Sequence, residues 1–508
     1  MNLKPFDRLY PYQKNAIDKT FISNRGIVCM PTGVGKTFCQ AAIVADDIIK
    51  NPGFRIYVIN APRILLSYQL LKEVYGFLIN EGIESRYMFV HSGGMMNEKE
   101  LELVRIHSTV PFSTVGTGTS IDSICKMMSD AQEQNLPLIF FSTYNSAERI
   151  EEARVKSNFP EISIVLNDEA HYLIQEQFHD IIKTLTSPRC YFFTATMIRT
   201  SSDKGRGMNN EESYGKVLYK MLPYEAIRLG KMVRPRLHFV KTDGVYNTDD
   251  YNKSLNKIIS DSFNQHGIVL SKRNVLPKLL ISTKGTRDIL NFLNSKEYTK
   301  LREEGVDIYA VASTEEIKND INGRKEDSRS NFLKYLKQDG EDKTKKMIVL
   351  HYDILAEGID VSGFTGIMPL RTLSKSKFLQ TFGRAARPDK EDRIKIDNKE
   401  IGVNDLDKMN KPYSYIIIPN IIHSNEDDKA NMTALIGELR TYDFKPYEDI
   451  VSSSLVHGIP EIEELDGLNE LQRRLPNIGI LIERLQAEIE AEKDAQLSKV
   501  DLLKKIFG

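Results

Sequence analysis

Short apolar runs alternate with amphipathic stretches through the first half of the chain. Gly26-Ile27-Val28-Cys29-Met30 reads as a buried strand, followed by a glycine-containing loop and a helical run over residues 37–49. Residues 55–60 read as a second strand, with a helix from about 64 to 77; residues 138–142, 162–166 and 190–194 read as three more strands. Strands that are apolar throughout and separated by helices are those of a parallel sheet covered on both faces. The pattern restarts after about residue 235, with strands expected at 278–282, 308–311, 347–350, 366–370 and 415–418. The chain is therefore expected to form two α/β domains, 1–232 and 233–424, meeting near Val233-Arg234-Pro235. Residues 425–508 read as helical. Their end, 478–507, carries Glu, Lys, Leu and Ile at helical spacing, and reads either as a packed helical extension or as a self-associating coiled coil.

A chain of 508 residues has room for two or three domains. With 41% hydrophobic and 27% charged residues, each domain has the means to bury a core. The 69 Lys and Arg nearly balance the 70 Asp and Glu. That balance neither supports nor excludes a nucleic-acid partner, because a local basic groove is sufficient to bind one. Cys29, Cys39, Cys125 and Cys190 form no CxxC pair and stand with no histidine cluster. They read as buried small hydrophobes rather than zinc ligands, and fit a reducing compartment. The first residues, Met1-Asn2-Leu3-Lys4-Pro5-Phe6-Asp7, contain no apolar h-region, and no stretch approaches the roughly 20 apolar residues that span a bilayer. The expectation is a cytoplasmic protein, prokaryotic or virus-encoded, with no membrane partner.

Candidate chemistry begins at Pro31-Thr32-Gly33-Val34-Gly35-Lys36-Thr37, which follows a strand and opens a helix, the context a phosphate-binding loop requires. Glycines let backbone N–H groups approach phosphates, and the helix N-terminus adds partial positive charge. Lys36 is placed to reach β- and γ-phosphates and Thr37 to ligate magnesium. Met30 stands where the GxxxxGK[ST] pattern has its first glycine, so the loop alone also reads as a glycine turn into a helix. The strand 162–167, about 130 residues further on, ends in Asp168-Glu169-Ala170-His171. Carboxylates at the C-terminal end of such a strand lie where open α/β sheets bind ligands. Asp168 is expected to hold the magnesium, through its bound water, and Glu169 to polarise an attacking water as general base.

Over most of residues 8–390 the chain resembles a DEAH-type superfamily 2 helicase. Arg8-Leu9-Tyr10-Pro11-Tyr12-Gln13 resembles the glutamine motif, which implies that Gln13 reads the adenine edge. Residues 31–37 match motif I and residues 168–171 motif II. Asn60-Ala61-Pro62-Arg63 resembles motif Ia, and Ser142-Thr143-Tyr144-Asn145-Ser146 the next strand-contacting segment. The resemblance thus implies nucleic-acid contacts at Pro62, Arg63, Thr143 and Tyr144. Thr194-Ala195-Thr196 matches motif III, which implies that Thr194 and Thr196, with His171, couple hydrolysis to movement; Met197 stands where a proline is usual. Ser282, Thr283 and Lys284 lie in a segment resembling motif IV, a further implied nucleic-acid contact. Residues 353–360 resemble motif V, with Gly358 and Asp360 implied in nucleotide binding. Gln380-Thr381-Phe382-Gly383-Arg384-Ala385-Ala386-Arg387 matches motif VI. Alone, GRxxR reads more readily as a solvated basic face. In this order it reads as the cationic group that meets transition-state charge, with Gln380 beside it and Arg384 and Arg387 three apart on one helix face.

The resemblance implies two tandem RecA-like domains with ATP and Mg²⁺ between them, acting on DNA. It is strongest, at residues 142–146, 208–215 and 224–230, to the helicase part of type ISP restriction enzymes, and looser to phage recombination helicases. Duplex, forked or single-stranded DNA is the expected partner; RNA remains an alternative. No nuclease cluster of the Asp…Glu-x-Lys kind and no methyltransferase signature accompany the motor motifs, and Asp307 and Glu326 read as scattered surface acids. With a restriction role the chain reads as the motor alone or as a subunit whose nuclease or other partner is another chain; a phage or mobile-element protein acting on its own DNA is the other reading. Residues 92–135 read as either a DNA-facing element or a surface insertion, and Lys204-Gly205-Arg206-Gly207 as either a phosphate contact or a solvated loop.

Overall fold

The computed structural model describes residues 8–419, save 92–114, 119, 200–204, 241–250, 313–316, 318, 327–328, 353–362, 372 and 374, together with 442, 450–456 and 459–463. The first domain is built on β1 (Arg25–Cys29), β2 (Ile56–Ala61), β3 (Arg86–Val90), β4 (Val115–Thr117), β5 (Leu138–Thr143), β6 (Ile162–Asn167), β7 (Cys190–Thr194) and β8 (Lys216–Lys220). They form one sheet in the order β4-β3-β5-β2-β6-β7-β1-β8, and every pairing in it is parallel. The pleat sends alternate residues to two cores. Val28, Tyr57 and Ile59 pack with Ala16, Ala42 and Val74 from the helices Pro11–Phe21, Lys36–Lys50 and Ile64–Asn80. Ile27, Ile56 and Val58 pack on the other face with Met128 and Ile150 from the helices Ile121–Glu133 and Glu148–Lys156. Burial on both faces is why these strands show no polar alternation.

The second sheet carries β9 (Arg234–Val240), β10 (Lys278–Ser282), β11 (Val306–Val311), β12 (Asn319–Ile321), β13 (Arg324–Lys325), β14 (Lys346–His351), β15 (Gly366–Pro369), β16 (Tyr413–Pro419), β17 (Ile450–Val456) and β18 (Ile459–Glu463). Their order is β13-β12-β11-β14-β10-β15-β16-β9-β17-β18. The centre is parallel, while short antiparallel pairs, β11–β12–β13 and β17–β18, finish each edge. Both sheets with their flanking helices have the tandem RecA-like form expected from the motifs.

Two features differ from the sequence reading. The segment read as a boundary at residues 233–235 runs into a strand, β9, which pairs with β16 along its whole length. Pro235 hid it, because proline donates no ladder hydrogen bond. It is tolerated since pairing to β17 starts only at Leu237. Within the segment read as helical, residues 450–456 and 459–463 are strands added beside β9. The run Ile450-Val451-Ser452-Ser453-Ser454-Leu455-Val456 combines β-branched residues with serines, which are middling helix formers. The stretch 478–507 lies outside the described residues, as do 92–114 of the insertion and Lys204. Of the rest of that basic loop, Arg206 pairs with Glu176 at 3.3 Å. No helix among the described residues is long and apolar enough to cross a membrane.

The two domains meet directly. Tyr10 Oη donates to Asp397 Oδ2 at 2.7 Å. The Lys231 ammonium sits 3.5 Å from the Tyr10 ring centroid and also pairs with Asp397.

Candidate active site

The loop between β1 and the helix Lys36–Lys50 is shaped by two glycines. Gly33 and Gly35 hold φ of +87° and +88°, a region where side chains are strained. Met30, in place of a first glycine, causes no conflict, because it continues β1 into the core and its N–H donates to Thr194 O at 2.9 Å. Lys36 is buried, with its Nζ 3.4 Å from Met30 O and 3.9 Å from Glu169 Oε1. Gln13 donates to Val34 O at 3.1 Å and Gly35 O at 3.3 Å, while its Oε1 accepts from Tyr10 N–H at 2.9 Å. Its amide thus supports the phosphate loop from beneath.

At the end of β6 the backbone is tied into the sheet. Asp168 N–H donates to Asn60 O at 2.8 Å, and Tyr144 Oη donates to Asp168 O at 2.6 Å. Gln40 Nε2 donates to Asp168 Oδ1 at 2.8 Å. Burial, with the Glu169 charge beside it, pushes the Asp168 carboxyl up to about 7. Glu169 has φ +48°, a left-handed conformation that costs a non-glycine residue and accumulates at functional sites. Its buried Oε2 accepts no hydrogen bond, and His171 Nδ1 lies 3.4 Å from it.

His171 Nδ1 also lies 3.2 Å from Thr194 Oγ1, which donates to Thr196 O at 2.9 Å. Burial pulls the His171 imidazole below its ordinary range, favouring the neutral ring. From the second domain, Gln380 Nε2 approaches His171 Nε2 at 3.5 Å. Motifs II, III and VI are therefore joined by one chain of polar contacts.

The helix Lys375–Ala385 lies against the phosphate loop. A Cβ placed on Gly383 would sit 2.8 Å from Thr32 Cβ, and one placed on Gly33 would sit 3.4 Å from Arg387 Nε. Arg384 is buried near the end of this helix. Arg387 is not on the helix, as the spacing suggested, but in the turn after it. Pro388 follows, and the residue before a proline is disfavoured in the α region.

Thr32 Oγ1, Glu169 Oε2 and Gln380 Oε1 are buried polar atoms without hydrogen-bond partners, all flanking this one cleft. Orphans of that kind mark a place where a polar ligand belongs. Val34 is buried and Thr37 half-buried, at the start of the helix. The hydroxyl of Thr37 and the carboxylate of Asp168 are hard oxygen donors of the type magnesium takes. Asp168, crowded by a second carboxylate, is a group that a divalent cation would relieve. The donor set therefore fits magnesium.

The nucleic-acid candidates divide. Arg63 and Lys284 are exposed and Pro62 half-buried, just beyond the C-terminal ends of β2 and β10. Tyr144 is instead fully buried beneath Asp168. Thr143 and Ser146 share a hydrogen bond of 3.1 Å. Ser282 bonds His351 at 2.9 Å, and Thr283 donates to Gly285 O at 3.1 Å. These side chains hold the strand ends rather than face outward. Gly358 and Asp360 lie outside the described residues. Gln40 and Lys411, both buried and both bonded to the site, belong to no motif and were not foreseen.

Two mainly parallel sheets with a phosphate loop and an acidic strand end facing an arginine-bearing helix give the chain the fold of a helicase-type core. More narrowly, residues 7–199 match the family model described as type III restriction enzyme, res subunit. Two solved structures are similar. The type ISP restriction-modification enzyme LlaBIII, bound to DNA, matches at 19% identity and a TM-score of 0.61, over 86% of this chain and 30% of that one. A nuclease-deletion mutant of the type ISP enzyme LlaGI, in complex with a DNA substrate mimic, matches at 20% identity and a TM-score of 0.55, over 85% of this chain and 29% of that one. The chain thus spans under a third of either enzyme, and at these identities the likeness is one of fold. No curated protein matches in sequence.

Proposed function

We propose that the chain is an ATP-driven DNA translocase or helicase that couples ATP hydrolysis to movement on, or remodelling of, duplex or branched DNA. The observation that carries this reading is the cleft between the domains, where Gln380 and Arg387 of the second stand within side-chain reach of His171 and Gly33 of the first, beside the Lys36–Glu169 pair. Gln13 exchanges its bonds to the loop for the adenine edge. Lys36 engages the β- and γ-phosphates, with Thr32, Gly33, Val34 and Gly35 cradling them through backbone N–H groups. Thr37 and Asp168 would hold magnesium, which would neutralise phosphate charge when bound. Glu169 takes a proton from a water whose oxygen bonds to the γ-phosphorus as the bond to the bridging oxygen breaks, leaving ADP and phosphate. Arg384 and Arg387 meet the charge on the transferred group. Gln380, His171, Thr194 and Thr196 pass the state of the site to the strand-end loops bearing Pro62, Arg63 and Lys284, whose grip moves the protein along DNA.

The type ISP neighbours, solved with DNA or a DNA substrate mimic, support DNA as the partner. A motor of a restriction or defence complex and a phage or mobile-element protein acting on its own DNA both fit that reading. ATP hydrolysis by the purified chain, measured with no nucleic acid and then with single-stranded, duplex and forked DNA and with RNA, tests it. Stimulation by duplex or forked DNA is expected. Stimulation by RNA alone would overturn the DNA assignment.

The closeness of Gly383 to Thr32 yields a further expectation. An added methyl group overpacks that contact at a cost of about 1–3 kcal/mol, enough to lower kcat for ATP by about tenfold. Gly383→Ala should therefore hydrolyse ATP slowly while melting near the wild-type temperature, since the contact between domains is disturbed and neither core is. Wild-type kcat would show that the two elements need not approach this closely during turnover.

A further inference from the structure

Arg387 stands beyond the end of its helix, so the helix does not set its position. The structure points to what does. Lys411, buried just before β16, donates from Nζ to Ala385 O at 2.7 Å and to Arg387 O at 2.5 Å. Those carbonyls are the last of the helix and that of the arginine residue itself. They belong to a helix C-terminus, where carbonyls lack intrahelical partners and the dipole favours a cation. A single buried lysine amine, pulled down to about 7 by burial, therefore closes the helix and pins the turn that bears Arg387.

Lys411 is itself held from behind. Its N–H donates to Asp392 Oδ2 at 2.8 Å, and the N–H of Asn410 donates to Asp392 Oδ1 at 2.9 Å. Asn410 Nδ2 reaches Asp389 Oδ1 at 3.1 Å and Glu391 Oε2 at 3.2 Å. Asp389 in turn caps the helix Lys390–Asp397 by accepting from Glu391 N–H and Asp392 N–H. The segment 389–392 begins two residues after Arg387, so both sides of the turn are anchored to the same two residues, Asn410 and Lys411. A further bond, from Val233 N–H to Ala386 O at 2.8 Å, ties the middle of the turn to the segment that leads into β9.

We infer that Lys411 is a positioning residue for ATP hydrolysis, acting through Arg387: it fixes the backbone that carries the guanidinium against the phosphate loop. This deepens the ATPase reading of the same site and rests on it. Lys411 touches neither nucleotide nor water and is not a catalytic residue. A small misplacement of a transition-state group costs rate rather than ground-state affinity, and displacement by about 1 Å has been enough to cost about 100-fold.

The test compares wild type, Lys411→Met, Arg387→Ala and the double variant, measuring kcat, KM for ATP, equilibrium binding of a fluorescent ATP analogue, and melting temperature. Lys411→Met keeps the length of the hydrocarbon stem and removes the terminal nitrogen. It should lower kcat by about 10- to 100-fold with analogue affinity unchanged, and should cost nothing further once Arg387 is alanine. A merely structural role would instead lower the rate by the same factor in both backgrounds, and that outcome overturns the inference. If Lys411→Met does not fold, Lys411→Leu, apolar and unable to donate, carries the same comparison. Wild-type kcat in whichever variant is folded also overturns it. No ATP hydrolysis by the wild-type chain would remove the ATPase reading and this inference together, whereas normal hydrolysis with unaltered Lys411 variants removes the inference alone.

Discussion

Glu169→Gln should reduce ATP hydrolysis by about 10²- to 10⁴-fold, the usual weight of a general base, while ATP still binds. The expectation rests on where the carboxylate is. Its Oε2 is buried and accepts no hydrogen bond, so proton-accepting capacity is held in reserve beside Lys36 and His171. The amide preserves size and removes only basicity. The left-handed backbone at this residue is a cost the fold bears to aim that side chain, and glutamine does not relieve it. Single-turnover hydrolysis and binding of a labelled ATP analogue separate the two effects. Turnover within a few-fold of wild type would move the role of base to another group, and loss of binding would make Glu169 part of the nucleotide pocket instead.

Much of this architecture could be read along the chain because parallel strands buried on both faces appear as unbroken apolar runs. The runs at 138–142, 190–194 and 278–282 each became a strand, and the acidic residues at the end of β6 lie where such a sheet places them. The site was legible for the same reason: its residues sit at strand ends and at one helix start, positions fixed by the local chain. What escaped is set by distant contacts. Lys411 is far from Arg387 in sequence and meets it only because β16 returns beside β9. Gln40 lies on the helix following the phosphate loop, with nothing nearby in sequence to pair it with Asp168. Tyr144, Ser282 and Thr283 follow motif spacing but turn inward, since strands covered on both faces bury successive residues and the motif does not state where that burial stops. The edge strand β8, Lys216-Val217-Leu218-Tyr219-Lys220, was hidden by the lysines that suit it to an exposed edge. One signal was present and unused: Pro388 tells against a helix continuing through Arg387.

That proline shapes the second large expectation. Arg387→Ala should lower kcat by about 10³-fold or more, the range in which a guanidinium meeting a transferring phosphoryl group operates, with ATP affinity little changed. Arg387 reaches the phosphate loop from the other domain, near enough to Gly33 that an added Cβ there would meet its Nε at 3.4 Å. Its contribution is made in the closed arrangement and is largest as charge gathers on the transferred group. Lysine at this position should recover only part of the rate. It restores the charge but not the planar fork that bonds two oxygens at once. Arg384, buried on the helix itself, is held by that helix; Arg387 is held by the turn. Arg384→Ala should therefore keep its full effect in a Lys411→Met background, while Arg387→Ala should not. Rates from single-turnover hydrolysis at saturating ATP decide the point. A loss at Arg387 of only a few-fold would leave Arg384 as the principal cation of the cleft, and the turn after the helix as its support.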